Sequence, residues 1–265
     1  MAPNSVEPFF FDAKRLDDLA SRLGETYRTA SPFGHIVIDD FMPTGTLDTV
    51  LAEFPSPDGI RWRGHEHRHS ARKLACSDET QMGLRTRHLL SQLNSSMFVT
   101  FLEKLTGIEG LIPDPHHEGG GLHQIGRGGR LEIHADFNVH ERLRLDRRLN
   151  LLLYLNRNWP EQYGGHLELW SRDMTRCEKR VLPIFNRCVI FSTTDLSFHG
   201  HPHPLECPEE VMRKSLALYY YSQGRPEEER SASHSTLYQS RPGSTPEHRG
   251  RSRWRRFFGR SRAGG

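Results

Sequence analysis

Little in this sequence suits a membrane span, a disulfide scaffold or a secreted precursor. No run of about 18 apolar residues occurs among the 265, so no transmembrane helix is expected. Cysteine is scarce: Cys76, Cys177, Cys188 and Cys207 lie far apart, with no C-x-x-C pair. That argues against a disulfide framework or a structural zinc site, and makes a reducing cytoplasm the default expectation. The opening MAPNSVEPFFFDAKRL lacks the basic, apolar, small-residue order of a secretion signal. Apolar residues make up only 35%, and mean hydropathy is -0.67. A β-rich domain with long loops fits such polarity better than a compact helical bundle. The net charge of +3 is unevenly placed. From Arg225 to Gly265 there are ten Arg and four Glu, giving +6, so Met1 to Gly224 carries -3. The basic character belongs to the C-terminal segment.

The spacing of apolar residues orders the rest. Residues 1–33 read as a lead-in with a helical patch at Ala13–Leu23. HIVIDDF, His35–Phe41, is the first strong strand signal. Pro43-Thr44 opens a helix over Leu47–Phe54. Ser77 or Asp78 is expected to cap a helix bearing Leu84, Leu89, Leu90 and Leu93. Phe98, Phe101, Leu102 and Leu105 continue that face until Gly107. Strand patterns follow: Gly121–Ile125 and Arg130–His134, with a hairpin-like turn at Gly128-Gly129, then Leu149–Leu155, His166–Trp170, Cys188–Phe191 and Ser215–Tyr221. Helices followed by closely spaced strands predict a mainly β domain with flanking helices, a sandwich or barrel. Three regions result: the lead-in 1–33, a domain at 34–223 with its β core at about 119–223, and a basic tail at 224–265. The tail is rich in Arg, Ser, Gly, Pro and Glu and is expected to be disordered.

Metal-binding chemistry has a candidate. His134 and Asp136 stand two apart at a strand end, so their side chains share a face and can share a cation. His199, just past a later apolar strand, can supply a third ligand. Two histidines and a carboxylate on one side of a metal leave open positions, which suits Fe(II) binding a cosubstrate and dioxygen. An H-x-D occurs by chance about once in a chain of this composition, so the motif alone is weak. His166-x-Glu168 and His116-x-Glu118 are rivals, His201 and His203 alternate with His199, and His65, His67 and His69 alternate on another possible strand.

The order of the surrounding residues distinguishes these candidates. From Gly121 to Ser222 the sequence reads G-L-H-Q-I-G-x-G-G-x-L-x-I-H-A-D, R-x-L-N-L-L-L-Y-L-N-x-x-W, G-G-H-L-E-L-W, P-I-F-N-R-C-V-I-F-S-T, H-G-H-P and R-K-S-L-A-L-Y-Y-Y. This series resembles the prolyl 4-hydroxylase-like branch of the Fe(II)/2-oxoglutarate-dependent oxygenases. The resemblance implies a double-stranded β-helix, a cupin-like jelly roll, with His134, Asp136 and His199 holding iron. It further implies that Arg213 grips the distal carboxylate of 2-oxoglutarate, beside Tyr154. A guanidinium forking onto a carboxylate suits that task, and Ser215, two residues on, would share the face. Lys214 would point the other way. The tyrosine that the family often uses on the strand before H-x-D is replaced here by Gln124, with His123 adjacent; either could take over its contact.

The implied cofactors are Fe(II), 2-oxoglutarate and dioxygen, with ascorbate as a reductant. The implied reaction is hydroxylation of an unactivated C–H bond on a peptidyl side chain, prolyl first. Amino-acid-like and natural-product substrates are further expectations. The Arg- and His-rich stretches Pro57–Cys76 and Asn138–Arg148 are expected to border the pocket, suggesting an anionic or polar substrate, with plain solvated loops as the competing expectation. A zinc-type hydrolase or isomerase on the same fold, or a binding module without chemistry, are the alternatives. The first leaves Arg213 unexplained. Arg249–Arg262, with Trp254, Phe257 and Phe258, could touch an anionic surface, though a disordered solubilising tail is the plainer expectation.

Overall fold

The computed structural model describes residues 10–67 and 69–243. The start of the lead-in and the stretch Arg249–Arg262 lie outside the described residues. Four helices form one layer: α1 Ala13–Arg28, α2 Thr44–Ala52, α3 Leu84–Leu93 and α4 Ser96–Thr106. Asp12 caps α1 by accepting from the Arg15 amide at 2.8 Å, and Ser95 caps α4. Gly107 ends α4 at φ 76°, the left-handed conformation glycine adopts freely. None of the described helices is long and apolar enough to cross a membrane.

Twelve strands follow in chain order: β1 His35–Ile38, β2 Arg63–His67, β3 Ser70–Cys76, β4 Ile112–Pro113, β5 Gly121–Ala135, β6 Asp146–Tyr154, β7 Leu167–Trp170, β8 Cys177–Val181, β9 Cys188–Ser192, β10 His199–His201, β11 Arg213–Ser222 and β12 Leu237–Tyr238. The antiparallel path is β1-β9-β6-β11-β5-β10-β7-β8, with β3 and β12 added on β5, β2 on β3 and β4 on β11. It rolls into a nearly closed barrel, the jelly-roll arrangement expected.

Alternation along the strands sorts side chains between two environments. Leu149, Leu151 and Leu153 of β6, with Leu216, Leu218 and Tyr220 of β11, pack outward against Leu47, Leu89, Leu90, Phe98, Leu102 and Leu105 of the helices. The opposite face of the same strands carries Asn150, Leu152 and Tyr154 opposite Tyr219, Ala217 and Ser215, and these line the barrel.

Three sequence expectations are corrected. Gly128-Gly129 is no hairpin turn, because β5 runs unbroken from Gly121 to Ala135. The glycines absorb a bulge instead, where the β3–β5 register shifts between Ala71 and Lys73. A Cβ on Gly129 would lie 2.3 Å from Ile125 Cγ2. Asp78 caps only a short 3-10 turn, Glu79–Gln81, and α3 begins after Gly83. Finally, 225–243 is placed against the barrel, where the basic tail was expected to be disordered from 224. Asn138 donates to Ser231 Oγ at 2.9 Å and Ala232 O at 2.8 Å, and accepts from the His234 amide at 2.9 Å. Tertiary bonding supplies the order that the composition of this strap does not.

Candidate active site

The β5–β10 pairing sets His199 directly opposite His134, and Asp136 follows at the end of β5. One donor atom from each of the three lies within 4.8 Å of the others. His134 Nδ1 donates to Glu132 O at 2.8 Å and His199 Nδ1 to Ser197 O at 2.9 Å. A carbonyl can only accept, so both protons are fixed on Nδ1 and both Nε2 lone pairs are free. These Nε2 atoms face the Asp136 carboxylate at 3.6 and 3.4 Å. Burial pushes the His199 pKa down to about 4 against the pull of Asp136, so the imidazole is neutral at physiological pH, as a ligand must be. Two free imidazole nitrogens and a carboxylate can hold a divalent ion and leave its other positions open.

Asp136 is itself held from behind. Its Oδ2 accepts from Asn150 Nδ2 at 2.7 Å and faces Arg147 Nη2 at 3.1 Å. Burial opposes the charge, but Arg147, His199 and His134 hold the carboxyl well below the usual range. Arg147 is 1% exposed. It donates twice to Asn150 Oδ1, at 3.0 and 2.7 Å, and lies between the rings of Phe137 and Tyr219, 4.4 and 3.6 Å from their centroids.

The second pole of the barrel is cationic. Arg213 is buried at the start of β11; its Nε donates to Gly165 O at 2.9 Å and its Nη2 to Tyr154 Oη at 3.3 Å. Ser215 stands opposite Tyr154 and His123 on the lining face. Gly165 makes room for the arginine, since at φ 72° a Cβ there would meet Leu205 Cδ2 at 2.5 Å and Arg213 Cδ at 3.0 Å. Gln124 is a correction. It pairs with Lys214, whose ammonium lies 5.0 Å from the Phe54 ring in the helix layer, and its own Nε2 reaches Pro55 O at 3.4 Å. Gln124 therefore faces the helices, and His123 is the member of that pair that faces the lining.

The sequence singles out neither Asn150 nor Tyr238, while Arg147 and Lys73 lie within the two stretches expected to border the pocket without a mark of their own. The alternation of Asn150, Leu152 and Tyr154 is a usable signal for the first. Lys73 opposes Ile125, which opposes Arg213 from the other side, so all three share the lining face. Burial lowers the Lys73 pKa to about 8; Asp136 raises it, and Arg147 and Arg213 lower it. Tyr238 on β12 opposes His134, its ring 5.6 Å from that imidazole and stacked on His69 at 4.2 Å. Of the rivals, His166 pairs with Glu161 at 2.8 Å and Glu168 receives Trp170 Nε1 at 2.9 Å, whereas His201 lies two residues beyond His199 on β10.

Residues 120–221 match the 2OG-Fe(II) oxygenase superfamily model. The chain is similar to mouse prolyl 3-hydroxylase OGFOD1, 26% identical over 228 residues, covering 82% of this chain and 40% of that protein. It thus spans about two-fifths of the length of that curated relative. Its fold is shared by a Trichoplax adhaerens prolyl hydroxylase in complex with a hypoxia inducible factor oxygen degradation domain peptide fragment (18% identity, TM-score 0.55, covering 79% of this chain and 91% of that one). A Pseudomonas putida prolyl-4-hydroxylase (17%, TM-score 0.53, 80% and 99%) has it too. So does HygX from Streptomyces hygroscopicus with nickel, 2-oxoglutarate and hygromycin B bound (11%, TM-score 0.53, 82% and 96%). Residues 120–221 thus resemble a 2OG-Fe(II) oxygenase domain, and the chain shares its fold with prolyl hydroxylases.

Proposed function

We propose that this protein is a 2-oxoglutarate-dependent dioxygenase that hydroxylates an unactivated C–H bond, on a peptidyl side chain of the prolyl type or on a small amino-acid-like or natural-product substrate. One observation carries the reading: a buried His134–Asp136–His199 cluster with two free Nε2 atoms shares one barrel with a buried Arg213–Tyr154 pair. Those two poles suit the two ends of a keto diacid. His134, Asp136 and His199 would hold Fe(II); Arg213, Tyr154 and Ser215 would hold the distal carboxylate. Bound iron with its cosubstrate supplies the oxidising power, with ascorbate as a reductant that keeps the metal ferrous. The protein's own part is positioning. Glu132 and Ser197 carbonyls fix the imidazole tautomers, Asn150 and Arg147 orient the carboxylate, and Gly165 aims the guanidinium. The mouse relative is a prolyl 3-hydroxylase, and the T. adhaerens enzyme was crystallised with a peptide fragment; both favour a peptidyl substrate. We take 34–223 as the functional domain, with 225–243 strapped to its mouth. All four cysteines are free thiols, in keeping with a reducing cytoplasm.

The test is anaerobic titration of the Fe(II) protein with 2-oxoglutarate, following the visible charge-transfer band of an iron–keto-acid chelate. The band is expected in wild type and absent in His134→Ala. A folded, iron-loaded wild type without the band would sink the reading.

A further inference from the structure

Lys73 has no role in the cosubstrate site as described. It stands in one cross-strand row with Ile125 and Arg213, so its side chain enters the barrel. The charges it feels are Asp136, then Arg147 and Arg213, the last two repulsive. Among the described residues its ammonium makes no hydrogen bond and no ion pair. His201 lines the same space, two residues beyond His199 on β10. It is 4% exposed, and neither ring nitrogen has a hydrogen-bond partner among the described residues. The charged groups around it are Arg213, Lys73 and His134. A buried imidazole and a partly buried ammonium, both without acceptors, are costly unless an acceptor arrives with a ligand.

The cosubstrate does not supply it. Its keto-acid end belongs at the metal, and its distal carboxylate has Arg213, Tyr154 and Ser215. Formal charge makes the same point. Lys73, Arg147 and Arg213 against Asp136 leave a surplus of +2, three cations less one anion. A divalent metal and a doubly charged 2-oxoglutarate cancel, so the surplus persists. A cavity of about 440 Å³ between β2, β3 and Gly119–Gly120 is lined by Arg61, Trp62 and Arg63, with Asp78 as its one carboxylate. It borders the barrel at Gly119 O, which accepts from Tyr219 Oη at 2.9 Å.

We propose that Lys73 and His201 form a second anion subsite, which holds a free carboxylate on the primary substrate, that of an amino-acid-like substrate or of a peptide's C-terminal residue, while its C–H bond faces the metal. This rests on the oxygenase reading above. One ammonium and one imidazole match a singly charged carboxylate, whereas a phosphate would need more donors than this wall presents. Lys73 is a specificity residue here, and a pocket without it would take neutral substrates as readily as acidic ones.

The test uses the full chain as its anaerobic Fe(II)–2-oxoglutarate complex. N-acetyl-proline, N-acetyl-asparagine and N-acetyl-lysine are titrated beside their primary amides, reading the shift of the charge-transfer band on binding. At least one acid is expected to bind about tenfold or more tighter than its amide in wild type. Lys73→Met should bring that ratio near one while leaving the 2-oxoglutarate midpoint unchanged, and Lys73→Arg should keep the preference. No acid preferred over its amide in wild type overturns the proposal, as does a preference surviving in Lys73→Met. A 2-oxoglutarate midpoint raised tenfold in Lys73→Met also overturns it, assigning the ammonium to the cosubstrate. Absence of the band in wild type is a separate result that removes the oxygenase reading and this inference together.

Discussion

Replacing Arg147 by Met should destabilise the metal-free protein far more than the metal-loaded one. Arg147 is the charge partner of Asp136 at 3.1 Å, and both lie inside the barrel. Removing one partner of a buried pair leaves the other charge uncompensated, at about 3–5 kcal/mol. At roughly 2–4 °C per kcal/mol for a domain of this size, the metal-free variant should melt roughly 6–20 °C lower. A divalent ion at the proposed site would neutralise Asp136 directly, and Asn150 Nδ2 would still orient its carboxylate at 2.7 Å. What the loaded variant loses is the stacking between Phe137 and Tyr219 and the bonds to Asn150, about 1–2 kcal/mol together. By linkage the difference, about 2–3 kcal/mol, must appear as tighter metal binding, roughly 30- to 150-fold. Melting curves with and without Mn(II), and calorimetric titration with the same ion, measure both sides of this cycle. Equal loss of Tm in the two forms, or weaker metal binding by the variant, would refute the reasoning.

Arg213→Met should raise the 2-oxoglutarate midpoint about a hundredfold or more, with metal affinity unchanged, in the anaerobic titration. Gly165→Ala should act in the same direction by displacing the guanidinium, again sparing the metal. Asn138→Ala removes three hydrogen bonds to the 225–243 strap, so hydrogen exchange at 231–238 should quicken while global melting changes little. Lys73 faces Asp136, Arg147, Arg213 and His201, and its ammonium is lost as pH rises through about 8. Affinity for an acid probe should therefore be flat below that pH and fall toward about tenfold per unit above it, while the amide shows no such trend; parallel profiles would contradict the assignment.

Much of this site was readable because its chemistry sits on strands, where a spacing of two means a shared face. His134 and Asp136 come together that way, and so do Arg213 and Ser215. HIVIDDF announced β1, and Gly107 announced the end of α4. The failures have the same root. Of the two residues open for that contact, Gln124 lies one residue out of phase, and on a strand that shift moves a side chain to the other face. A run of glycines at 126, 128 and 129 encodes a turn or a bulge equally well, and only the β3 partner decides. Arg147 and Lys73 carried no local mark. Their importance arises where β6 and β3 meet β5, which is a property of the closed barrel. The strap at 225–243 has the composition of a linker, and its position follows from Asn138 and from Tyr238 stacked on His69.

The pairing of β1 with β9 bears on synthesis. His35 lies against Phe191, 191 - 35 = 156 positions later, and Tyr27 reaches Ser192 at 2.6 Å. On a ribosome adding about 5–20 residues per second, the apolar edge HIVI waits roughly 8–30 s for its partner. During that interval it is an unpaired strand in a crowded compartment, a natural client for a chaperone. His199 emerges later still, so His134 and Asp136 cannot be joined by their third partner before nearly the whole domain has been made. Filling of the proposed metal site would then be a late event, and the ion acquired would reflect the pool the finished chain meets.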